Sequence, residues 1–350
     1  MFRLNGIAAL TGLLVLAAAL WGGWWWIAAT AQKEGVLGWL ESRRAAGWAA
    51  EVQDAAVSGF PNRVDLSLEE LILSDPDAGW AWQAPLVQVL QLSYRPDRAI
   101  VAFPERQSFA APGGRAELRS ERLRASVAVA PETALRLRRA VLEGDGLSVE
   151  GVAAGGAAAW TVGAERILAA LREAETPMPS DGPNAYDLSV TASQVRPPEA
   201  LTGLMNLGEA LPDVAAELLV DATLGFAQPL GLRAAEAGGA RLTSVRVRPS
   251  KLAWGPLSLR VAGAVAVDAA GYPEGEMTVR AENWRAALKA AQASGALDAN
   301  TAEAVRGALE VLSFLSGKGN GIEAPLRFAG GRVFIGPAPI GQAPRLTLPR

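Results

Sequence analysis

Leu257–Arg280 reads LSLRVAGAVAVDAAGYPEGEMTVR, and how this stretch is read decides the fold. Leu257, Leu259, Val261, Val265 and Val267 share one parity, against Ser258, Arg260, Ala262, Ala264, Ala266 and Asp268 on the other. A period of two puts successive side chains on opposite faces, so this is a strand with one dry side and one wet side. AAGYPEG (Ala269–Gly275) supplies turn residues, and beyond it Met277 and Val279 alternate with Thr278 and Arg280. The stretch is therefore an antiparallel hairpin.

Outward from it, the same period returns at Val87 and Val89, Val127 and Val129, Leu147 and Val149, and Tyr186, Leu188 and Val190. Turn signals such as SDPDAG (Ser74–Gly79) and EGDG (Glu143–Gly146) separate these runs. Helical spacing breaks in at Glu165–Ala174, Pro198–Ala210, Trp284–Leu297 and Thr301–Ser316, where it predicts helices that cover the sheet. The expected class is α+β and β-dominated: an N-terminal transmembrane helix, then a curved, mostly antiparallel multi-stranded sheet in two lobes with a few covering helices. EAETPMPSDGPN (Glu173–Asn184), rich in Pro and polar residues, is the expected linker between lobes. AWQAPLVQV (Ala81–Val89) and AWGPLSLRV (Ala253–Val261) each set a Trp before Pro-Leu and an alternating strand, a faint internal duplication.

Gly6–Ile27, GIAALTGLLVLAAALWGGWWWI, carries no charge and matches the roughly twenty residues a helix needs to cross a bilayer. Trp21, Trp24, Trp25 and Trp26 crowd its far end, where indole rings favour the membrane–water interface. The competing reading is a cleaved signal peptide, with Ala29-Thr30-Ala31 as its small-x-small site. The apolar run exceeds the usual h-region of about 7–15 residues, which favours an uncleaved anchor over residues 1–31. Arg3 and the terminal amine favour an N-inside orientation. Residues 32–58 carry Leu37, Leu40, Trp48 and Val52 at helical spacing and predict an amphipathic connecting helix. GFPNRVDL (Gly59–Leu66) then reads as the corner where helix becomes strand, opening a β-rich domain over 59–350.

Composition excludes whole classes of chemistry. The 350 residues include neither Cys nor His, which removes thiol nucleophiles, disulfides, Cys/His zinc sites and imidazole bases. With 33 basic residues interleaved among 36 acidic ones, there is no domain-wide positive field for nucleic acid. SGKGNG (Ser316–Gly321) lacks the phosphate-loop form and reads as a helix C-terminal loop, while DPDAG (Asp75–Gly79) reads as a hairpin turn. None of Lys33, Lys251, Lys289 and Lys318 sits in an S-x-x-K. No catalytic, cofactor or metal residue is singled out. Arg122 with Arg124, and Arg136 with Arg138, are spaced by two, which on strands puts each pair on one face. There guanidiniums suit phosphate headgroups, the alternative being a solvated face of mixed charge.

With GFPNRVDL, WQAPLVQVLQLSYRPDRAIVAFP (Trp82–Pro104), LSLRVAGAVAVDAAGYPEGEMTVRAENWRAAL and LRFAGGRVFIGPAPIGQAPRL (Leu326–Leu346) in hand, the chain resembles the bacterial family called domain of unknown function 2125. The likeness covers nearly the whole length after the anchor. More distantly, Val265–Leu297 resembles strand-turn-strand-helix units of AsmA-like envelope proteins. That wider resemblance implies a membrane-tethered, β-rich periplasmic protein concerned with envelope lipids.

The expectation is a single-pass protein of the bacterial inner membrane, non-enzymatic, with most of the chain in the periplasm. Its partners are the bilayer and a lipid ligand: headgroups on Arg122, Arg124, Arg136 and Arg138, acyl chains in an apolar groove over Leu257, Leu259, Val261, Val265 and Val267. The alternatives are an anchored hydrolase using carboxylates and a scaffold that binds a partner protein.

Overall fold

The computed structural model describes residues 2–156, 159–198, 212–236, 239–293, 299–316, 321–336 and 338–347. Helix α1, Phe2–Ala45, has 44 residues, about 66 Å at 1.5 Å per residue and roughly twice the hydrocarbon core of a bilayer. It is long and apolar enough to cross a membrane, with a mean hydropathy of 1.6 in its most apolar window, and its second half continues as a packing element.

That second half is shorter than the connecting helix expected over 32–58. Gly47, at φ 90°, takes the left-handed position after the last turn. Trp48 N–H bonds to the Arg43 carbonyl and Gly47 N–H to the Arg44 carbonyl, the paired bonds that close a helix at a glycine. The chain goes on as strands β1 (Ala49–Glu51) and β2 (Asp54–Ser58). GFP is thus a corner between strand and strand, not between helix and strand.

The remaining strands are β3 (Arg63–Asp75), β4 (Trp80–Leu92), β5 (Arg95–Phe103), β6 (Arg106–Ala111), β7 (Gly114–Arg119), β8 (Arg122–Val129), β9 (Leu137–Ala153), β10 (Ala159–Glu173), β11 (Asn184–Val195), β12 (Ala215–Phe226), β13 (Leu242–Trp254), β14 (Leu257–Val267), β15 (Pro273–Glu282), β16 (Gly321–Ala329), β17 (Arg332–Ile335) and β18 (Ala338–Gln342). All pair antiparallel. The main ladder runs β2-β3-β4-β5-β8-β9-β10 and then in chain order to β18. Strand β1 extends β3, while β6 and β7 bridge β4 to β9. The expected class, β-dominated α+β behind an apolar N-terminal helix, is the observed one.

One crease divides the N-terminal strands. In β3, Val64, Leu66 and Leu68 are buried on one parity and Leu71 and Leu73 on the other, with Glu69 and Glu70 exposed between them. The partner strand β4 switches at the same level, from Ala84 to Val87 across Pro85. Pro85 has no N–H to give the ladder and Glu70 has a positive φ of 49°, so both strands rotate their dry side together. EGDG, expected as a turn, lies inside β9, where the apolar residues pass from Ala140 and Leu142 on one parity to Leu147 and Val149 on the other.

Glu165–Ala174, expected as a helix, belongs almost wholly to β10, which is paired on both edges. Two neighbouring strands satisfy its whole backbone, which outweighs the 3–4 spacing of its leucines. Helix α2 is Leu232–Glu236, α3 is Trp284–Ala293 and α4 is Ala299–Ser316; the last two realise the helices expected at Trp284–Leu297 and Thr301–Ser316. The helix expected at Pro198–Ala210 and the SGKGNG loop lie largely outside the described residues. DPDAG is a hairpin turn as expected, the Asp75 carboxylate accepting from the Asp77 and Ala78 amides at 3.0 and 3.1 Å. The two Trp-Pro-Leu stretches are not equivalent: Ala81–Val89 lies within β4, whereas Ala253–Val261 turns from β13 into β14.

Candidate functional site

Because each strand alternates, antiparallel pairing lines up one apolar side chain per strand. Val57 faces Leu66, Leu66 faces Val89, Val89 faces Val101, and Val101 faces Ala125. The row continues through Leu142, Ala169, Val190 and Val220. A bulge in β13 sets Ser250 into it, and Val261, Val279 and Ala324 carry it on. Thirteen strands contribute, with twelve steps of about 4.8 Å, or about 58 Å along the sheet. Ser250 is the one polar member.

The row starts under cover. Leu66 is fully buried with Leu40 of α1 in one core, and Gln32 of α1 donates to the Val89 carbonyl at 3.5 Å. Farther along, the face is capped near both strand ends. Helices α3 and α4 pack Trp284, Leu288, Val305 and Leu309 onto Ala281, Ile322 and Ala324. At the opposite ends, Ala234 of α2 joins Tyr186, Phe226 and Val267. Between the caps Leu188, Val190, Val220, Val247, Val261 and Met277 are half-buried and belong to none of these clusters. Among the described residues, the apolar face is roofed at its margins and open along its middle.

The five groove residues expected from the sequence divide accordingly. Leu257 is buried with Trp254 and Ala215, Val267 lies in the Tyr186–Phe226 core, and Val265 is buried too. Leu259 is partly buried against two cores. Only Val261 stands on the open floor, because it alone of the five sits midway along its strand.

The four expected headgroup arginines do not converge. Arg122 pairs with Asp145, which also holds Arg166 at 3.0 Å, and these cations lower the Asp145 pKa. Arg124 shares that outer face, opposite Glu143. Arg136 precedes β9 and binds Glu132 and Glu173. Arg138 is exposed seven residues back from Asp145 along β9, about 23 Å away.

A tighter constellation, not singled out in the sequence, occupies the outer face of β11–β13. Arg246 bonds Asp181 and Thr223; Arg248 bonds Asp221, Asp187 and Thr223. Asp181 is 2% exposed and belongs to the stretch expected as a linker, which instead folds back and is pinned to the sheet. Gly225 permits this: a Cβ there would lie 2.1 Å from the Asp181 carbonyl. The hydrogen bonds from Arg246 and Arg248 hold the Asp181 and Asp221 carboxyls below the usual carboxylate range. These ion pairs staple the stretch to the sheet. Among the described residues no group of three or more acids is placed to hold a metal.

The tryptophan cluster has a second role that composition did not reveal. Trp21 donates to the Pro61 carbonyl at 2.9 Å, Trp24 to that of Ser93 at 3.1 Å, and Trp25 to that of Arg63. Phe60 meets Trp25 edge-on at 5.4 Å. The residues at the interface end of the apolar run therefore fasten the β2–β3 and β4–β5 turns to α1. The spacing of Trp21, Trp24 and Trp25 at i, i+3 and i+4 places them on one helix side, while the hairpin tips that receive their N–H groups leave no trace in it.

Comparison with known proteins places the chain in a family. Residues 24–344 match the model described as "Uncharacterized protein conserved in bacteria (DUF2125)", and the chain belongs to that family. No curated protein and no solved structure matches it.

Proposed function

We propose that the chain is a cell-envelope protein that binds lipid by laying acyl chains along the open apolar face of its sheet, without catalysing a reaction. In this reading the apolar first half of α1 lies in the bacterial inner membrane with its N-terminus inside, and the β-rich residues from 59 onward occupy the periplasm. The observation that carries it is the row from Val57 to Ala324, apolar at every strand but one and, among the described residues, uncovered along its middle. Each acyl methylene moved from water onto such a floor contributes about 0.8 kcal/mol when fully buried, so even partial enclosure of a chain is favourable. The row begins beneath α1, where the chain leaves its apolar segment, which puts its start beside a source of lipid.

The test is native mass spectrometry and lipid extraction of the full chain purified in mild detergent. Phospholipid should copurify, and Val261→Asp with Met277→Asp should lower the amount retained several-fold while the thermal transition persists. Lipid-free protein would remove the reading, and a stoichiometric protein in place of lipid would transfer the face to a protein partner. For topology, a reporter active only outside the cytoplasm, fused after Arg350, should be active. A new N-terminus near Gln32 with release from membranes would contradict the anchor.

A further inference from the structure

The reverse side of the sheet carries a second apolar surface. On the outer face Leu90 faces Ile100, Ile100 faces Ser126, and Ser126 faces Val141. One row nearer the β4–β5 turn, Arg98 faces Ala128 and Ala128 faces Arg139. These residues line a groove of about 610 Å³. Ile100 is 43% exposed and Tyr94, at the tip of the turn, 55%. The groove is separate from the acyl-binding face, since Ile100 and Val101 point to opposite sides of β5.

Its charge is unbalanced in one direction. Arg95 and Arg98 share the single carboxylate of Asp97, at 3.6 and 3.4 Å. Among the described residues Arg139 has no ion-pair partner. Glu143 also lines the groove, one row beyond the apolar one and opposite Arg124. The turn that closes the groove is tied to the anchor, because the Ser93 carbonyl accepts from Trp24. The arginine rim therefore stands at the level where α1 leaves its apolar segment, with the apolar row two residues, about 7 Å, beyond it.

We propose that this groove binds one anionic phospholipid drawn from the leaflet beside α1, its phosphate held by Arg98 and Arg139 and one acyl chain lifted out of the bilayer onto Leu90, Ile100 and Val141. Guanidiniums suit a phosphate group, basic residues at an anionic surface add attraction, and an exposed apolar wall next to them suits a chain rather than a soluble anion.

The full chain, reconstituted in phosphatidylcholine vesicles, is given photoactivatable phosphatidylglycerol or photoactivatable phosphatidylcholine, and adducts are mapped by peptide mass spectrometry. Phosphatidylglycerol should label the segments around Ile100 and Val141 about tenfold more than phosphatidylcholine, and Arg98→Glu with Arg139→Glu should remove that preference. Both arginines are exposed, so the doubly substituted protein should keep its thermal transition; Arg98→Gln with Arg139→Gln should give the same loss more weakly. Val261→Asp, on the other face, should leave this labelling unchanged whatever it does to copurifying lipid. Equal labelling by the two probes, labelling that survives charge reversal, loss on Val261→Asp, or full displacement by inorganic phosphate would each overturn the proposal.

Discussion

The two faces of β11–β13 are built from the same strands and end in opposite states. On the outer face Asp181, Asp187 and Asp221 all meet Arg246 or Arg248, and Thr223 joins them. On the inner face Val190, Val220 and Val247 are half-buried, and among the described residues the caps stop short of them. A face that supplies its own partners stabilises the fold. One that leaves apolar floor uncovered has surface to give to something else, and this contrast is the basis of the functional reading.

The contrast breaks most sharply if a capped residue and an open one respond alike to truncation. Trp284→Ala, which removes the fully buried side chain that α3 packs onto the sheet, should cost about 3–5 kcal/mol in urea unfolding of the full chain. On the outer face, Asp181→Asn leaves Arg246 without its main partner and should cost about 2–4 kcal/mol. The folded-state pKa of Asp181 is depressed. Its contribution is therefore complete above the unfolded value near about 3.9 and is lost as pH falls through the folded value. Wild type and Asp181→Asn should differ by a constant amount above about pH 5 and converge in acid; a gap that widens in acid would mean the carboxyl is not held ionised. Gly59→Val should cost about 1 kcal/mol or more, since Gly59 has φ 101° and a Cβ would meet Arg63 at 2.9 Å. The smallest effect belongs to the open floor: Val261→Ala should cost less than about 1 kcal/mol while reducing retained lipid. A large stability loss there would mean that the floor is an ordinary core.

Much of this architecture was legible in the alternation of Leu257–Val267 and its relatives, because a period of two survives whatever packs on the strand. Helix ends and turns were less legible. Gly47 and Trp48 close α1 through bonds to the Arg44 and Arg43 carbonyls within a stretch whose apolar spacing still reads as helix. Gly144 and Gly146 look like turn residues, yet they let β9 rotate its dry side without leaving the ladder. The candidate site was legible only as a parity. Which residues of that parity lie under a cap and which on open floor depends on how α2, α3 and α4 fold back over their flanking strands, which alternation does not encode. Residue spacing likewise gave no sign that the tryptophans meet the carbonyls of Pro61, Arg63 and Ser93.

The most direct measurement of the central claim places a photocrosslinking residue, one position at a time, along the row and on its reverse in the full chain in native membranes. Positions 142, 190, 261 and 279 should each crosslink to lipid, and positions 260 and 264, on the outer face of β14, should not. Lipid adducts at 260 and 264 as strong as those at 261, or none at 190 and 261, would contradict the account.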